Sequence, residues 1–247
     1  MEHKDRICIQ MNKAQKTLQK TSQKMSHRVI TILKSLARQH SSSMTFLNKE
    51  SAHSIDLNQK AFRVLISTVL SQRNRDEMTE IASNRLFAKY DTPKKIRDAK
   101  TKDIEKLIKQ SGFYRTKARR IKEISKILLE KHDGIVPDNY QELIALPGVG
   151  RKTAGCVLVY AYGQKAIPVD THVHRISNRL GLVNTKTPEK TEQELLKIVP
   201  KNYWPYVNEL FVLHGKKVCK PIRPDCSSCS IVKLCDYDKK YFRTGKF

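Results

Sequence analysis

Apolar residues recur every three or four positions along most of this chain, the spacing of one face of an α-helix. Val29, Ile32, Leu33 and Leu36 form such a stripe and predict a helix over 27–40, ended by Ser41-Ser42-Ser43. A loop runs to about 58. A more apolar helix is expected over 58–71, with Phe62, Leu65, Ile66, Val69 and Leu70 inward. The polar corner Gln72-Arg73-Asn74-Arg75-Asp76 separates it from a helix carrying Met78, Ile81, Leu86 and Phe87. Asp91-Thr92-Pro93 opens a short helix, and Thr101 is expected to cap the next, with Ile104, Leu107 and Ile108. Gly112-Phe113-Tyr114 turns into a basic helix holding Ile121, Ile124, Ile127 and Leu128. Beyond 165 come a short extended piece over 166–169 and helices at about 171–181, 188–199 and 203–214. No pair of strands and no regular repeat appears, so the expected fold class is all-α.

The stretch around which this pattern turns is Leu146-Pro147-Gly148-Val149-Gly150-Arg151-Lys152-Thr153-Ala154. A helical pattern precedes it from Asp138, a capping-type residue, and an apolar one follows to Tyr162. Proline and two glycines between them make a tight hairpin. The second helix begins with N–H groups that have no intrahelical acceptor and with the positive end of its dipole, a combination that binds phosphate. Arg151 and Lys152 add cations there. A lysine in a first helical turn runs against the usual preference for acidic residues at that end. Lys152 is either a phosphate-binding lysine or a nucleophilic amine. Asp170, just before the pattern of 171–181, reads as an N-cap carboxylate.

Charge narrows the partner. Lys and Arg number 48 against 24 Asp and Glu, a net charge of +24. Such an excess points to a polyanion, nucleic acid first and an anionic membrane surface second. No apolar run approaches the roughly 20 residues of a membrane span, and the N-terminus has no secretory pattern. Residues 1–26, rich in Lys and Gln, are expected to be a basic tail, with Cys8 an incidental thiol. The expected setting is intracellular and reducing, which favours metal ligation over disulfides.

That matters for Cys219, Cys226, Cys229 and Cys235, spaced C-x6-C-x2-C-x5-C. Four thiolates hold zinc or an iron–sulfur cluster. Zinc sites usually show two short clips, and here Cys226-Ser227-Ser228-Cys229 is the one. Lys220 and Arg223 sit between the first two cysteines, where a pinned loop would aim them at nucleic-acid phosphates. Cys156, on the apolar helix after the hairpin, reads as a core residue.

The hairpin, Lys152, the run Pro168-Val169-Asp170-Thr171-His172-Val173 and the cysteine spacing together resemble the helix-hairpin-helix DNA glycosylases of the endonuclease III branch, over about residues 28–247. The resemblance implies a two-domain helical fold. Residues 58–164 would form a six-helix domain with the hairpin at 138–163, and 27–57 would join 165–247 in a cluster domain. It implies a bifunctional glycosylase and abasic-site lyase with Lys152 and Asp170 catalytic and facing each other across a cleft. His172 and His174 are expected to be structural. A [4Fe–4S] cluster is implied on Cys219, Cys226, Cys229 and Cys235. The implied partner is double-stranded DNA containing oxidised pyrimidines, such as thymine glycol, or abasic sites. DNA contacts are implied for Leu146, Gly148, Val149, Gly150, Arg151 and Thr153 of the hairpin, for Lys220 and Arg223, and for Phe113 as an apolar wedge. The gap left by an extruded base is filled from the corner. Bacterial relatives place a glutamine at the position of Arg73, whereas Gln72 here is displaced by one, so either residue is a candidate. A monomer with no membrane partner is expected, intracellular, in a prokaryotic cytoplasm or nucleoid or a eukaryotic nucleus or mitochondrion.

Three alternatives stand beside this reading. Mismatch glycosylases share the scaffold, but the adenine-removing branch has a glutamate where this chain has Ser67. Both mismatch branches lack the hairpin lysine. A non-catalytic module would use the hairpin only for phosphate. A zinc-stapled structural protein would be colourless rather than brown.

Overall fold

A computed structural model of the chain describes residues 23–43 and 56–237. No strand occurs among these residues. The tail expected over 1–26, with Cys8, lies outside them except at 23–26, which are already helical. Most of the loop expected before residue 58, and residues 238–247, also lie outside.

The described chain divides into two compact units, one of residues 56–168 and one of residues 23–43 and 169–237. In the first, α2 (Leu57–Ser71), α3 (Asp76–Lys89), α4 (Pro93–Asp98), α5 (Thr101–Leu107), α6 (Tyr114–Lys131), α7 (Tyr140–Ala145) and α8 (Arg151–Tyr160) follow one another. Helix α2 is the spine. Its Phe62, Leu65, Ile66, Val69 and Leu70 are all buried in one apolar cluster with Ala154, Val157 and Leu158 of α8. A fully buried leucine or isoleucine contributes roughly 1.5–3 kcal/mol relative to an exposed one. This face alone therefore holds the hairpin helix firmly against the unit.

The helix starts follow local chemistry, with two departures from expectation. Thr92 caps α4 by accepting from the Lys95 amide, with Pro93 in the first turn where its missing N–H costs nothing. Thr101, by contrast, is the first residue inside α5. Lys100 stands at the cap position and offers no side-chain acceptor. Asn139, not Asp138, caps α7, because its extended backbone aims its side-chain oxygen at the Glu142 amide.

The second unit holds α1, helical over 23–39 of the described residues, then α9 (Thr171–Arg179), α10 (Pro188–Ile198) and α11 (Trp204–Lys217). Val29, Ile32, Leu33 and Leu36 of α1 are buried, as are Val207, Leu210 and Phe211 of α11. Arg28 ties α1 to the last described residues: its guanidinium donates to the carbonyls of Leu180 and Leu234 at 2.6 and 2.7 Å and pairs with Asp236. Gly181, at φ 68°, turns the chain after α9, where an added Cβ would lie 1.9 Å from Asp236 Oδ2.

Candidate nucleic-acid interface and cysteine loop

The hairpin is built by three backbone devices. Leu146 closes α7 in extended conformation, and the Val149 amide donates back to its carbonyl at 3.1 Å. Gly148 takes φ 73°, a left-handed angle that other residues adopt only at a cost. Gly150 then stands at the cap position of α8 with no side chain to cap the helix. A Cβ added at Gly150 would meet nothing within 4 Å, so open space surrounds the start of α8. Helix geometry leaves the first-turn N–H groups without intrahelical acceptors. Arg151 is exposed at this end, and Lys152, the second helical residue, is half-buried.

Leu146, Val149 and Thr153 are buried at 3, 5 and 4% exposure. Their side chains belong to the core, so what they offer a ligand is backbone. Cys156 is buried in the same helix, as a core residue should be. Gly155 allows Pro168 to approach, since an added Cβ would sit 3.3 Å from its ring.

The two candidate insertion loops lie beside the hairpin in the same unit. Gln72 is fully engaged: its Nε2 donates to the Gly148 carbonyl at 2.8 Å and to Thr153 Oγ1 at 3.3 Å, and its Oε1 accepts from Arg120. Arg73 has φ 50°, and its guanidinium lies 6.0 Å from the centre of the Phe113 ring. Phe113 is itself left-handed at φ 60° and 64% exposed. Its ring is therefore not part of the core.

One group in this region was not singled out from sequence. Lys117 is only 3% exposed and donates to the Leu70 carbonyl at 2.7 Å and to Ser111 Oγ at 2.9 Å. Burial, with Arg120 nearby, brings its pKa down to about 8. The register held the clue, because Lys117 falls in phase with Ile121, Ile124 and Leu128 on the buried face of α6.

In the other unit, Asp170 caps α9. Its Oδ1 accepts from the His172 and Val173 amides, both at 2.9 Å, which fixes the carboxylate's direction. His172 Nδ1 lies 3.1 Å from the Arg175 guanidinium, and His174 Nδ1 lies 2.6 Å from Thr191 Oγ1.

Cys219, Cys226, Cys229 and Cys235 all line one cavity, together with apolar Ile176, Leu180, Val218, Ile231 and Val232. Among the described residues no three His, Cys, Asp or Glu side chains gather tightly enough to form a ready-made single-ion site. Burial, helped by the other three sulfurs, pushes the Cys229 thiol up to about 11, the environment in which a bound metal must supply the charge that keeps a thiolate. Four soft donors around an apolar cavity fit an iron–sulfur cluster in their chemistry. Two arginines of α9 pin the loop. Arg175 donates to the Cys219 carbonyl at 2.9 Å, while Arg179 reaches Cys219 Sγ at 3.3 Å and the carbonyls of Lys220 and Pro221 at 2.7 Å each. Asp225 turns the chain between the second and third cysteines by accepting from Ser227 and Ser228. Lys220, Ile222 and Arg223 are left exposed at the tip.

With this geometry in hand, comparison with known proteins is decisive. Residues 66–201 match the model of the HhH-GPD superfamily of base excision DNA repair proteins. The chain belongs to this superfamily. Within it, the chain is 55% identical to endonuclease III of Thermotoga maritima over 185 residues, 75% of this chain and 85% of that one. A solved structure of a trapped endonuclease III–DNA covalent intermediate matches with a TM-score of 0.76 at 35% identity, covering 87% of this chain and 97% of that one. A thermostable thymine-DNA glycosylase matches with a TM-score of 0.73 at 26% identity, over 86 and 97% of the two chains. Proteins named endonuclease III and thymine-DNA glycosylase thus both resemble this scaffold. The particular residues of each member, rather than the scaffold, must set its chemistry.

Proposed function

We propose that this chain is a bifunctional DNA glycosylase and abasic-site lyase of base excision repair, acting on oxidised pyrimidines and abasic sites in duplex DNA. The observation that carries the reading is the place of Lys152, in the first turn of a helix whose Gly150 start is open to a phosphate. A phosphate bound there would hold the sugar chain beside the amine. Chemistry at a base's sugar bond needs the nucleotide out of the stack, and exposed Phe113 and Arg73 are the side chains available to take its room.

In this reading the Lys152 nitrogen bonds to C1′ of the extruded nucleotide as the bond from C1′ to the base breaks. The base leaves with that electron pair and gains a proton. Opening of the sugar gives a Schiff base, loss of a C2′ proton expels the 3′ phosphate, and water then hydrolyses the imine and returns the amine. Asp170, aimed by its two amide donors, stabilises the positive charge that develops on the sugar. Arg151 and the α8 amides hold the DNA backbone, and Lys220 and Arg223 add phosphate contacts. Cys219, Cys226, Cys229 and Cys235 would hold a [4Fe–4S] cluster, whose contribution is to fix the loop that carries these two cations. The unit of residues 56–168 would present the hairpin to DNA, and the unit of residues 23–43 and 169–237 would carry the cluster.

Borohydride trapping on an abasic-site duplex tests this. The native protein should form a stable cross-link and Lys152→Ala should form none while still binding the duplex. Asp170→Asn keeps an N-cap acceptor and should fold normally, yet lose turnover by about two to four orders of magnitude. A folded, brown native protein that binds but never cross-links would make it a monofunctional glycosylase or a binding module.

A further inference from the structure

The buried lysine of α6 has no part in the chemistry above, yet it sits at the junction of the two loops that face the duplex. A buried charge is costly unless its hydrogen bonds are made. Lys117 makes two of them, to the Leu70 carbonyl and to Ser111 Oγ. Leu70 lies in the last turn of α2, where carbonyls have no intrahelical donor and the helix dipole is negative, so a cation satisfies both needs at once.

From there the connections run to both loops. Ser111 Oγ donates to the same carbonyl at 3.1 Å. Asn74 Nδ2 donates to Ser111 Oγ at 3.3 Å, and Asn74 Oδ1 accepts from the Gly112 amide at 3.4 Å. Gly112 packs closely, since an added Cβ would be 3.3 Å from the Arg73 carbonyl. The corner holding Arg73 and the turn holding Phe113 are thus joined through a single buried polar node. Both tip residues are held in left-handed backbone conformations, which persist only where the surroundings over-determine them.

We infer that Lys117 is a positioning residue that, with Ser111 and Asn74, locks Arg73 and Phe113 into one rigid head for insertion into duplex DNA. This rests on the glycosylase reading above. Removing the node leaves Lys152 and its helix intact but lets the two tips move independently. The loss should therefore appear only where a stacked duplex must be opened. A single-stranded abasic site needs the amine but no insertion.

The test compares Lys117→Met and Asn74→Ala with the native full-length protein on two substrates: a thymine glycol duplex, and a single-stranded oligonucleotide with an abasic site. The ratio of duplex to single-strand cleavage should fall about tenfold or more in both variants, the loss set by misplacement of positioning groups. Fluorescence of 2-aminopurine beside the lesion should show slower unstacking. If both rates fall together, Lys117 is merely structural, and if Asn74→Ala leaves the ratio unchanged, the node does not couple the loops. Either result overturns the inference, and Asn74→Ala alone decides between them should Lys117→Met fail to fold. A native protein that cleaves neither substrate overturns the reading of the site, and this inference with it.

Discussion

The two hairpin glycines should fail in opposite ways when replaced by alanine. At Gly148 the backbone sits at φ 73°, and an added Cβ would lie 2.1 Å from Arg120 Nε. Left-handed backbone costs a non-glycine residue roughly 1–2 kcal/mol. Arg120 can swing away, but in doing so it gives up its hydrogen bond to Gln72 Oε1, worth about 1 kcal/mol. Gly148→Ala should therefore destabilise by about 2–3 kcal/mol, the sum of these two effects. At Gly150 φ is −92° and nothing lies within 4 Å of the added carbon. The cost to stability there should stay under about 1 kcal/mol, the difference between glycine and alanine at a cap. The open space is, however, where a phosphate would approach the α8 amides. Gly150→Ala should weaken binding to an abasic-site duplex at least about fivefold, roughly 1 kcal/mol. Urea unfolding gives the first quantity and fluorescence anisotropy the second. If Gly150→Ala binds DNA as tightly as the native protein, the α8 N-terminus is not the phosphate site. If Gly148→Ala is as stable as native, the turn is not held at the angle described.

Two further outcomes follow from buried groups. Lys117 titrates near 8 in the fold against an ordinary 10.5, so between those pH values the unfolded chain holds the proton that the native chain has lost. Unfolding free energy from this group then rises with pH, by on the order of 3 kcal/mol at most, with the full cost present below pH 8; urea titrations at neutral and alkaline pH should show the native protein gaining on Lys117→Met, and parallel profiles would refute it. Replacing Cys226 by serine should yield a colourless protein with less bound iron by elemental analysis, and weaker, less salt-dependent DNA binding as Lys220 and Arg223 lose their anchorage; unchanged iron content would sink the cysteine assignment.

What could be read in advance was whatever depends on local chemistry. The hairpin, the capping role of Asp170 and the burial of Cys156 all follow from residue type and immediate neighbours. So did the all-helical class, since periodicity is a local signal. The errors at Thr101 and Asp138 were of one residue. In each case a capping residue type lay next to the true cap, and backbone angles decided between them. What could not be read depended on partners far along the chain. Gln72 is engaged by Gly148 and Arg120, 76 and 48 residues away. This leaves Arg73, not the more familiar glutamine, as the side chain at the loop tip. Lys117 needed a register argument that its charge discouraged.

The long-range clasp of Arg28 has a consequence in time. Its acceptor at Leu234 is 206 residues further on. At the usual 5–20 residues per second of synthesis, α1 must wait roughly 10–40 seconds for that partner to emerge. During this interval the whole of 56–168, whose core is complete in itself, has been made and is free to fold. The nascent protein is therefore expected to mature from its middle outward, with its first helix among the last to be seated.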